Sequence, residues 1–538
     1  MLKLSREGIK NTAQWAKVGI ELPKFDIDSM ISKSFENPVW IHFGAGNIFR
    51  GFVAVLQQTL LNEGVADRGI IAAETFDVEI IDKAYKPFDN LSLLVIMNPD
   101  GSFEKKVVGS LAGALAGDPS RKQDWDKLHE LFKKPGLEMV SMTITEKGYN
   151  LKNLSGEFFP DVKKDIDEGP KSPTHAMSKI ASLAYTRFKN GKHPIAFVSM
   201  DNCSQNGKRF RDAVVNIVEE WVGKGLVENA FLDYIKDPKM VSFPWSMIDK
   251  ITPRPADEVR ESLVKDGLEN MDLVKTEKNT YVAPFINAEG PEYLVIEESF
   301  PNGRPPLEKA GVIFTDRDTV DKVEKMKVGT CLNPLHTSLA IYGCLLGFNY
   351  ISEEMQDEQL QKLVKKIGFE EGMPVVVNPG VIDPVDFATE VIEVRLPNPY
   401  IPDTPQRIAV DTSQKLAIRF GETIKSYVER EDLDPGNLKY IPLVIAGWCR
   451  YLLGVDDKGN DMSLSPDPML DTLRPYFKDV KLGSKIDANK VLQPILSNIK
   501  LFGVDLYQVD LGEKIEGFFS EMITGPGAVR ATLKKHVV

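Results

Sequence analysis

The sequence predicts an α/β chain, with a mostly parallel, doubly wound sheet in its first half and a mostly α-helical second half. Three observations carry that expectation. Short apolar runs alternate with helix-period segments in the first half, long segments of period 3.6 dominate from about Thr315 onward, and the Pro- and Gly-rich stretch PNGRPPLEKAGV lies between. PVWIHF is the first strand candidate, followed by GAGNIFRG and an amphipathic helix through Leu61. GIIAAE is the next strand. LSLLVIM and FEKKVVGSL flank the turn Asn98-Pro99-Asp100-Gly101 and predict a hairpin. LEMVSMTIT and HPIAFVSM are two further strands, separated by a helix around HAMSKIASLAYTRFKN. In the second half TVDKVEKMK, SLAIYGCLLGF, DEQLQKLVKKIG, SQKLAIRFGETIKSYVER and LVIAGWCRYLLG read as helices. The expected division is a domain over 1–314 and a helical domain over 315–538.

A chain of 538 residues exceeds one ordinary core, so more than one domain is expected. With 42% apolar and 27% charged residues the composition is that of a globular protein, and a net charge of -12 argues against a nucleic-acid partner. Cys203, Cys331, Cys344 and Cys449 lack metal-type spacing and are expected to be buried thiols in a reducing compartment. The amino terminus has no apolar leader, and no run reaches the ~20 apolar residues that span a bilayer. A cytoplasmic protein, a monomer or small homo-oligomer without membrane partner, is expected.

IHFGAGNIFRGF follows a strand and opens a helix, the context of a dinucleotide-binding turn. Gly44 allows a tight turn, Gly46 a close approach of backbone to pyrophosphate, and the helix amino terminus supplies N–H donors. Phe49 stands where the common pattern has a third glycine, and a purely steric need for the glycines is the competing reading. Glu74 ends the next strand, where a carboxylate accepts from an adenosine ribose and repels a 2′-phosphate. That favours NAD as cofactor, with Asp77 as the alternative acceptor. On the dinucleotide reading the first domain is expected to be a Rossmann-like doubly wound nucleotide-binding domain.

KVGTCLNPLHTS places Lys327, Asn333 and His336 inside an apolar helical segment. Gly329 is expected to end one helix, and Asn333-Pro334 to start another as N-cap and first-turn proline. Capping explains Asn333, but it does not explain Lys327, a costly group beside an apolar segment. A lysine whose pKa is lowered by partial burial serves as general base at neutral pH.

Together these segments resemble the polyol-specific long-chain dehydrogenases and reductases, the mannitol dehydrogenase family, over nearly the whole chain. GAGNIFRGF, with Asn47, Phe49 and Arg50 among its glycines, resembles the family's nucleotide turn. TITEKGY resembles its acidic loop, SMDNCSQNG its DN-x4-G segment and FPWSMIDKITP its FPN-x-MVDRITP segment. VIEESFPNGRPPLEKAGV is similar to the domain-joining stretch, and WCRYLLG falls in the helical domain as in the family. The family pattern K-x4-N-x2-H is matched by Lys327, Asn333 and His336 with one extra residue, as K-x5-N-x2-H, and Pro334-Leu335 replaces the usual small pair.

The resemblance implies reversible hydride transfer between NAD and a sugar acid or polyol without metal, in a helical substrate and catalytic domain. It implies Lys327 as acid/base, Asn202 and Asn333 as donors to the carbonyl oxygen, and His336 as an orienting group. Glu146 and Glu324 map onto acidic gate residues, and Arg407, Lys415 and Asp249 onto substrate contacts. Lys147 is a further cation available to a carboxylate. The six histidines lack ligand spacing, so no metal site is expected. D-mannonate to D-fructuronate leads the implied reactions, ahead of altronate to tagaturonate and of mannitol or another polyol. A non-catalytic binding protein and a nicotinamide-using epimerase on the same fold are the readings from other classes.

Overall fold

The computed structural model describes residues 1–153 and 155–538. They form two compact units, Met1–Asp321 and Lys322–Val538, and the division falls within the helix Arg317–Met326.

The first unit is built on six strands: β1 Trp40–Phe43, β2 Ile70–Glu74, β3 Leu111–Ala116, β4 Met139–Met142, β5 Ile195–Ser199 and β6 Val241–Ser242. Their spatial order is β3-β2-β1-β4-β5-β6 and every pairing is parallel. The order reverses beside β1, which makes the gap between the carboxyl ends of β1 and β4 the topological switch point. Every residue of these strands is buried, because both faces of the sheet are covered. Alternate side chains serve separate cores. Ile41, Phe43 and Met142 join one with the helices α2 Lys122–Phe132, α3 Ala176–Lys189 and α4 Asn206–Gly223, while Trp40, Ile70 and Met139 join Phe49, Phe52 and Leu60 in the other.

The expected hairpin is present, Ser92–Met97 pairing antiparallel with Phe103–Val108. It belongs to a second sheet that includes Ile20–Glu21 and Phe285–Ala288. This second sheet overturns one expectation. The helix α1, Ala54–Asn62, is not amphipathic but buried on nearly every face. Gln58 is satisfied by the second sheet and its turn, donating to the Val107 carbonyl at 2.7 Å and accepting from Gly109 N–H, whereas Gln57 donates to the Arg68 carbonyl and its Oε1 has no partner among the described residues.

The second unit is helical. Helices α5 Asn333–Leu346, α6 Tyr440–Tyr451 and α7 Gly512–Met522 form its centre, and every residue of α6 is buried. Single π-helical turns interrupt the helices at Lys327–Cys331, Lys366–Gly372, Val391–Arg395 and Ala417–Gly421. Such turns recur at functional positions because they turn side chains and backbone out of register with the helix. Cys331, Cys344 and Cys449 are buried thiols with pKa values pushed up by burial, whereas Cys203 is only half-buried, on a loop. Among the described residues no helix is long and apolar enough to cross a membrane.

Candidate active site

Gly44 follows β1 with φ +103°, and a Cβ there would lie 2.2 Å from the Thr143 carbonyl oxygen. Only glycine fits. A Cβ on Gly46 would meet nothing within 4 Å, so its backbone faces open space at the start of the helix spanning 47–62. The loop between them is held by Glu74. Its buried carboxylate accepts from Ala45 N–H at 2.8 Å, Phe76 N–H at 2.7 Å and Asp77 N–H at 3.1 Å, while Tyr85 donates to the Ala45 carbonyl. A cleft of about 590 Å³ opens beside these residues, lined by Gly44, Gly46, Glu74, Thr143, Thr145 and Lys147 among others. Its place at the switch point, with helix N–H donors, suits a dinucleotide phosphate.

Two of the expected cofactor contacts lie in the core. Phe49 is fully buried and stacks on His42 at 4.0 Å, filling the core where a third glycine would leave a void. Arg50 is fully buried too. It donates to the Ala283 carbonyl at 2.8 Å and to Asn47 Oδ1 at 3.0 Å, and lies over the Tyr85 ring. The Asp77 carboxylate takes the Thr276 hydroxyl at 2.6 Å and so ties down a loop at the cleft that Asp77 helps to line. Asn47 links the helix start to a neighbouring loop, accepting from Arg50 and donating to the Pro253 carbonyl at 3.3 Å. His42 lies between Ser141 and Thr143, and burial lowers its pKa to about 3, leaving a neutral core ring.

At the carboxyl ends of β4 and β5, Asp201 organises two loops. It accepts from Ile144 N–H, Thr145 N–H and the Tyr149 hydroxyl, at 3.0, 2.7 and 2.6 Å. Burial raises its pKa against those bonds, and burial with Asp201 raises that of Tyr149. Thr145 is left at φ +68°, an uncommon conformation for a threonine. Next to Asp201, Asn202 is exposed on the loop that Asn206 pins by bonds to Ser199, Asp201 and Ser246. Glu146 is an exposed partner of Arg209 at 3.1 Å, and Asp249 is buried at the end of the strand Ser246–Asp249. Asp201 and Asn206 are not evident from the sequence; their only signal is the DN-x4-G spacing, which singles out Asn202 instead.

In the second unit Lys327 is 3% exposed and opens the π turn Lys327–Cys331; Glu324 is half-buried one turn earlier. The helix break differs from expectation. Gly329 does not end the helix; the turn runs on to Cys331, and Leu332 breaks it with φ -128° and ψ -62°. Leu332, not Asn333, is the N-cap of α5, and Asn333 makes no capping bond. The His336 N–H, which an Asn333 cap would take, is bonded instead to the Leu332 carbonyl at 3.0 Å. Among the described residues the half-buried Asn333 amide makes no hydrogen bond. It therefore has donors to offer a ligand.

His336 lies in the first turn, its Nε2 3.3 Å from Asp403 Oδ2, within ion-pair distance but not aligned as a hydrogen bond. Arg407 pairs with the other oxygen of Asp403. Burial alone would raise the Asp403 pKa, but His336 and Arg407 outweigh it and hold it below the ordinary carboxylate value. Lys415 donates to the Val410 carbonyl, and burial with neighbouring Arg419 lowers its pKa. The short helix Pro405–Ile408 and the turns Lys327–Cys331 and Ala417–Gly421 all pack on α5. Lys327, Asn333, His336, Arg407 and Lys415 thus sit on α5, on elements packed against it or beside them. Asp403, which lies within ion-pair distance of His336, is not predicted by the sequence, since a lone aspartate in a proline-rich loop carries no signal.

Comparison with known proteins agrees with this architecture. Residues 39–309 match the mannitol dehydrogenase Rossmann domain and residues 319–522 the mannitol dehydrogenase C-terminal domain. The D-mannonate oxidoreductase of Thermotoga maritima is 57% identical over 538 residues, covering 100% of this chain and 99% of that protein. A mannitol 2-dehydrogenase of Emericella nidulans is 29% identical over 524 residues, covering 94% and 93%. Among solved structures, a substrate-free D-sorbitol dehydrogenase superposes with TM-score 0.80 at 24% identity, covering 99% of this chain and 100% of that one. Pseudomonas fluorescens mannitol 2-dehydrogenase, in a ternary complex with NAD and D-mannitol, gives 0.70 at 24% identity, covering 99% of each chain. The two family-model matches and the full-length relative show that the chain is a member of the mannitol dehydrogenase family.

Proposed function

We propose that this chain is an NAD-dependent oxidoreductase that interconverts D-mannonate and D-fructuronate. The carrying observation is the 57% identity to a D-mannonate oxidoreductase across the full chain. The nucleotide cleft supports it: the open backbone at Gly46, the helix amino terminus behind it and the Glu74-held turn fit a dinucleotide. NAD, when bound, supplies the hydride acceptor for oxidation and, reduced, the donor for the reverse reaction. A cytoplasmic location with reduced cysteines belongs to the same reading.

The protein's own part is to move a proton and hold an oxygen. In oxidation Lys327 takes the proton of the reacting hydroxyl, and in reduction its ammonium returns it. The Asn333 amide donates to the carbonyl oxygen, a preorganised contact often worth ~3 kcal/mol, and Asn202 is assigned the same role. His336, steadied by Asp403, orients a neighbouring substrate hydroxyl. Glu324 and Glu146 are assigned to proton exchange with solvent, and Asp249 to substrate binding. In this reading the lysine and the amides do the work of a Lewis acid.

NADH absorbance with a panel of D-fructuronate, D-tagaturonate and D-fructose tests the assignment. D-fructuronate should give the highest kcat/KM, and prolonged dialysis against a chelator should leave it within about twofold. A higher kcat/KM for tagaturonate or fructose, or activity that returns only with added zinc or manganese, would overturn the substrate or the lysine mechanism respectively.

A further inference from the structure

The turn Ala417–Gly421 carries an arginine that the proposed mechanism does not use. Arg419 extends to α5, where one guanidinium nitrogen donates to the hydroxyl of Thr337, the residue after His336. Among the described residues no carboxylate pairs with it, and no other acceptor takes its remaining N–H groups. Burial lowers its pKa to about 10. Other buried arginines of this protein are treated differently. Arg187 donates to the carbonyls of Phe132, Lys134, Leu137, His193 and Pro194, and Arg450 to those of Met522, Val455 and Asp456. They are wrapped in acceptors, whereas Arg419 keeps open donors.

Lys415 lies four residues earlier, close enough for Arg419 and Arg407 to depress its ionisation. Asp411 and Asp467 act on it in the opposite sense, but Asp467 is committed to Ser413 and Met469. The Arg407 charge is already paired with Asp403. Two neighbouring cations, one of them a half-buried guanidinium with unused N–H groups open to its surroundings, repel each other until an anion joins them. A planar carboxylate matches the open fork of Arg419. The same turn packs against Lys327–Cys331, with Thr423 Oγ1, just beyond it, 3.5 Å from the Gly329 carbonyl oxygen.

We propose that Arg419, supported by Lys415, binds the carboxylate of the substrate and sets the preference for a sugar acid over a neutral ketose. This rests on the sugar-acid oxidoreductase reading above. D-fructuronate and D-fructose differ only in carrying a carboxylate or a hydroxymethyl group at the end remote from the ketone, which isolates the contact. With the full chain and NADH, Arg419→Gln should lower the ratio of kcat/KM for fructuronate to that for fructose by roughly 10- to 100-fold, mainly through KM. Arg419→Lys should restore part of the ratio, and Thr337→Val, which removes the anchor of the guanidinium, should lower it less. If Arg419→Gln does not fold, the lysine and valine variants carry the test. Equal losses for both substrates in variants that melt normally, or an unchanged KM for fructuronate, would overturn the role of Arg419. A wild type that reduces fructose but not fructuronate would instead sink the sugar-acid reading itself.

Discussion

The two units assemble their candidate sites by opposite means. In the first, the groups around the cleft are fixed by backbone: Gly44 by a positive φ, the Ala45 loop by three N–H donors closing on Glu74, the β4 and β5 loops by Asp201. In the second, the candidate groups come from interruptions of helices. Lys327 and Arg419 sit on π turns and Asn333 follows a break at Leu332. A strand-end site is rigid because the sheet holds both sides of every loop, and its ligand meets backbone donors. A helix-break site turns side chains out of the helical register, so its chemistry depends on the particular residue at each position.

That contrast can be broken by substitution. The largest effect is expected at Lys327. Lys327→Met keeps the volume of the stem and removes the proton acceptor, so kcat should fall by ~10²–10⁴-fold. NADH affinity, measured by fluorescence titration, should be unchanged, because the nucleotide cleft belongs to the other unit. A folded variant with near-wild-type kcat would remove Lys327 from the chemistry.

The glycine turn should respond differently at its two glycines. Gly44→Ala must adopt φ +103° and displace the Thr143 carbonyl, so it should destabilise the protein by roughly 2–4 kcal/mol in urea unfolding and abolish NADH binding. Gly46→Ala should unfold like wild type, since its Cβ meets no protein atom, yet bind NADH at least ~10-fold more weakly. Equal NADH affinity in the two variants would separate the turn from the cofactor.

Glu74→Gln is the next smaller test. Because the carboxylate holds three N–H groups, the variant should lose about 1–3 kcal/mol of stability and bind both NADH and NADPH less well. The wild type should prefer NADH; kcat/KM with NADPH equal to or above that with NADH would refute the ribose assignment.

A last test, read as a change of slope with pH, concerns Glu354, fully buried in the second unit with neither oxygen hydrogen-bonded among the described residues. Burial, with Asp357 and Glu353 adding repulsion, raises its pKa well above the ordinary carboxyl value. The folded protein keeps a proton that the unfolded chain releases. Stability from this group is therefore complete below the unfolded carboxyl pKa and declines, by at most ~1.4 kcal/mol per pH unit, as pH rises toward the folded value. In Glu354→Gln that decline should vanish from the urea midpoint measured between pH 5 and 8. An unchanged pH dependence would mean that the carboxyl is ionised in the folded state.

The amino-acid sequence by itself determined β1, β2, β4 and β5 of the parallel sheet, the hairpin at Asn98–Gly101 and the helical second half, because burial on both faces or on one stripe writes its period into the chain, whereas the small-residue strand β3 and the two-residue β6 carried no such signal. It also marked Gly44 and Lys327, the first by a strand-glycine-helix order and the second by a charge where none is cheap. Only the tertiary structure decided what the polar neighbours of those residues are bonded to. Phe49, Arg50 and Asp77 stand in or near the motif but are consumed by the core, by carbonyls and by Thr276, while Asp403 and Arg419 stand in no motif and reach α5 from loops and turns distant in sequence. A local pattern records the backbone conformation a segment requires. The direction of a polar side chain depends on acceptors contributed by other segments, and those meet it only when the chain has folded.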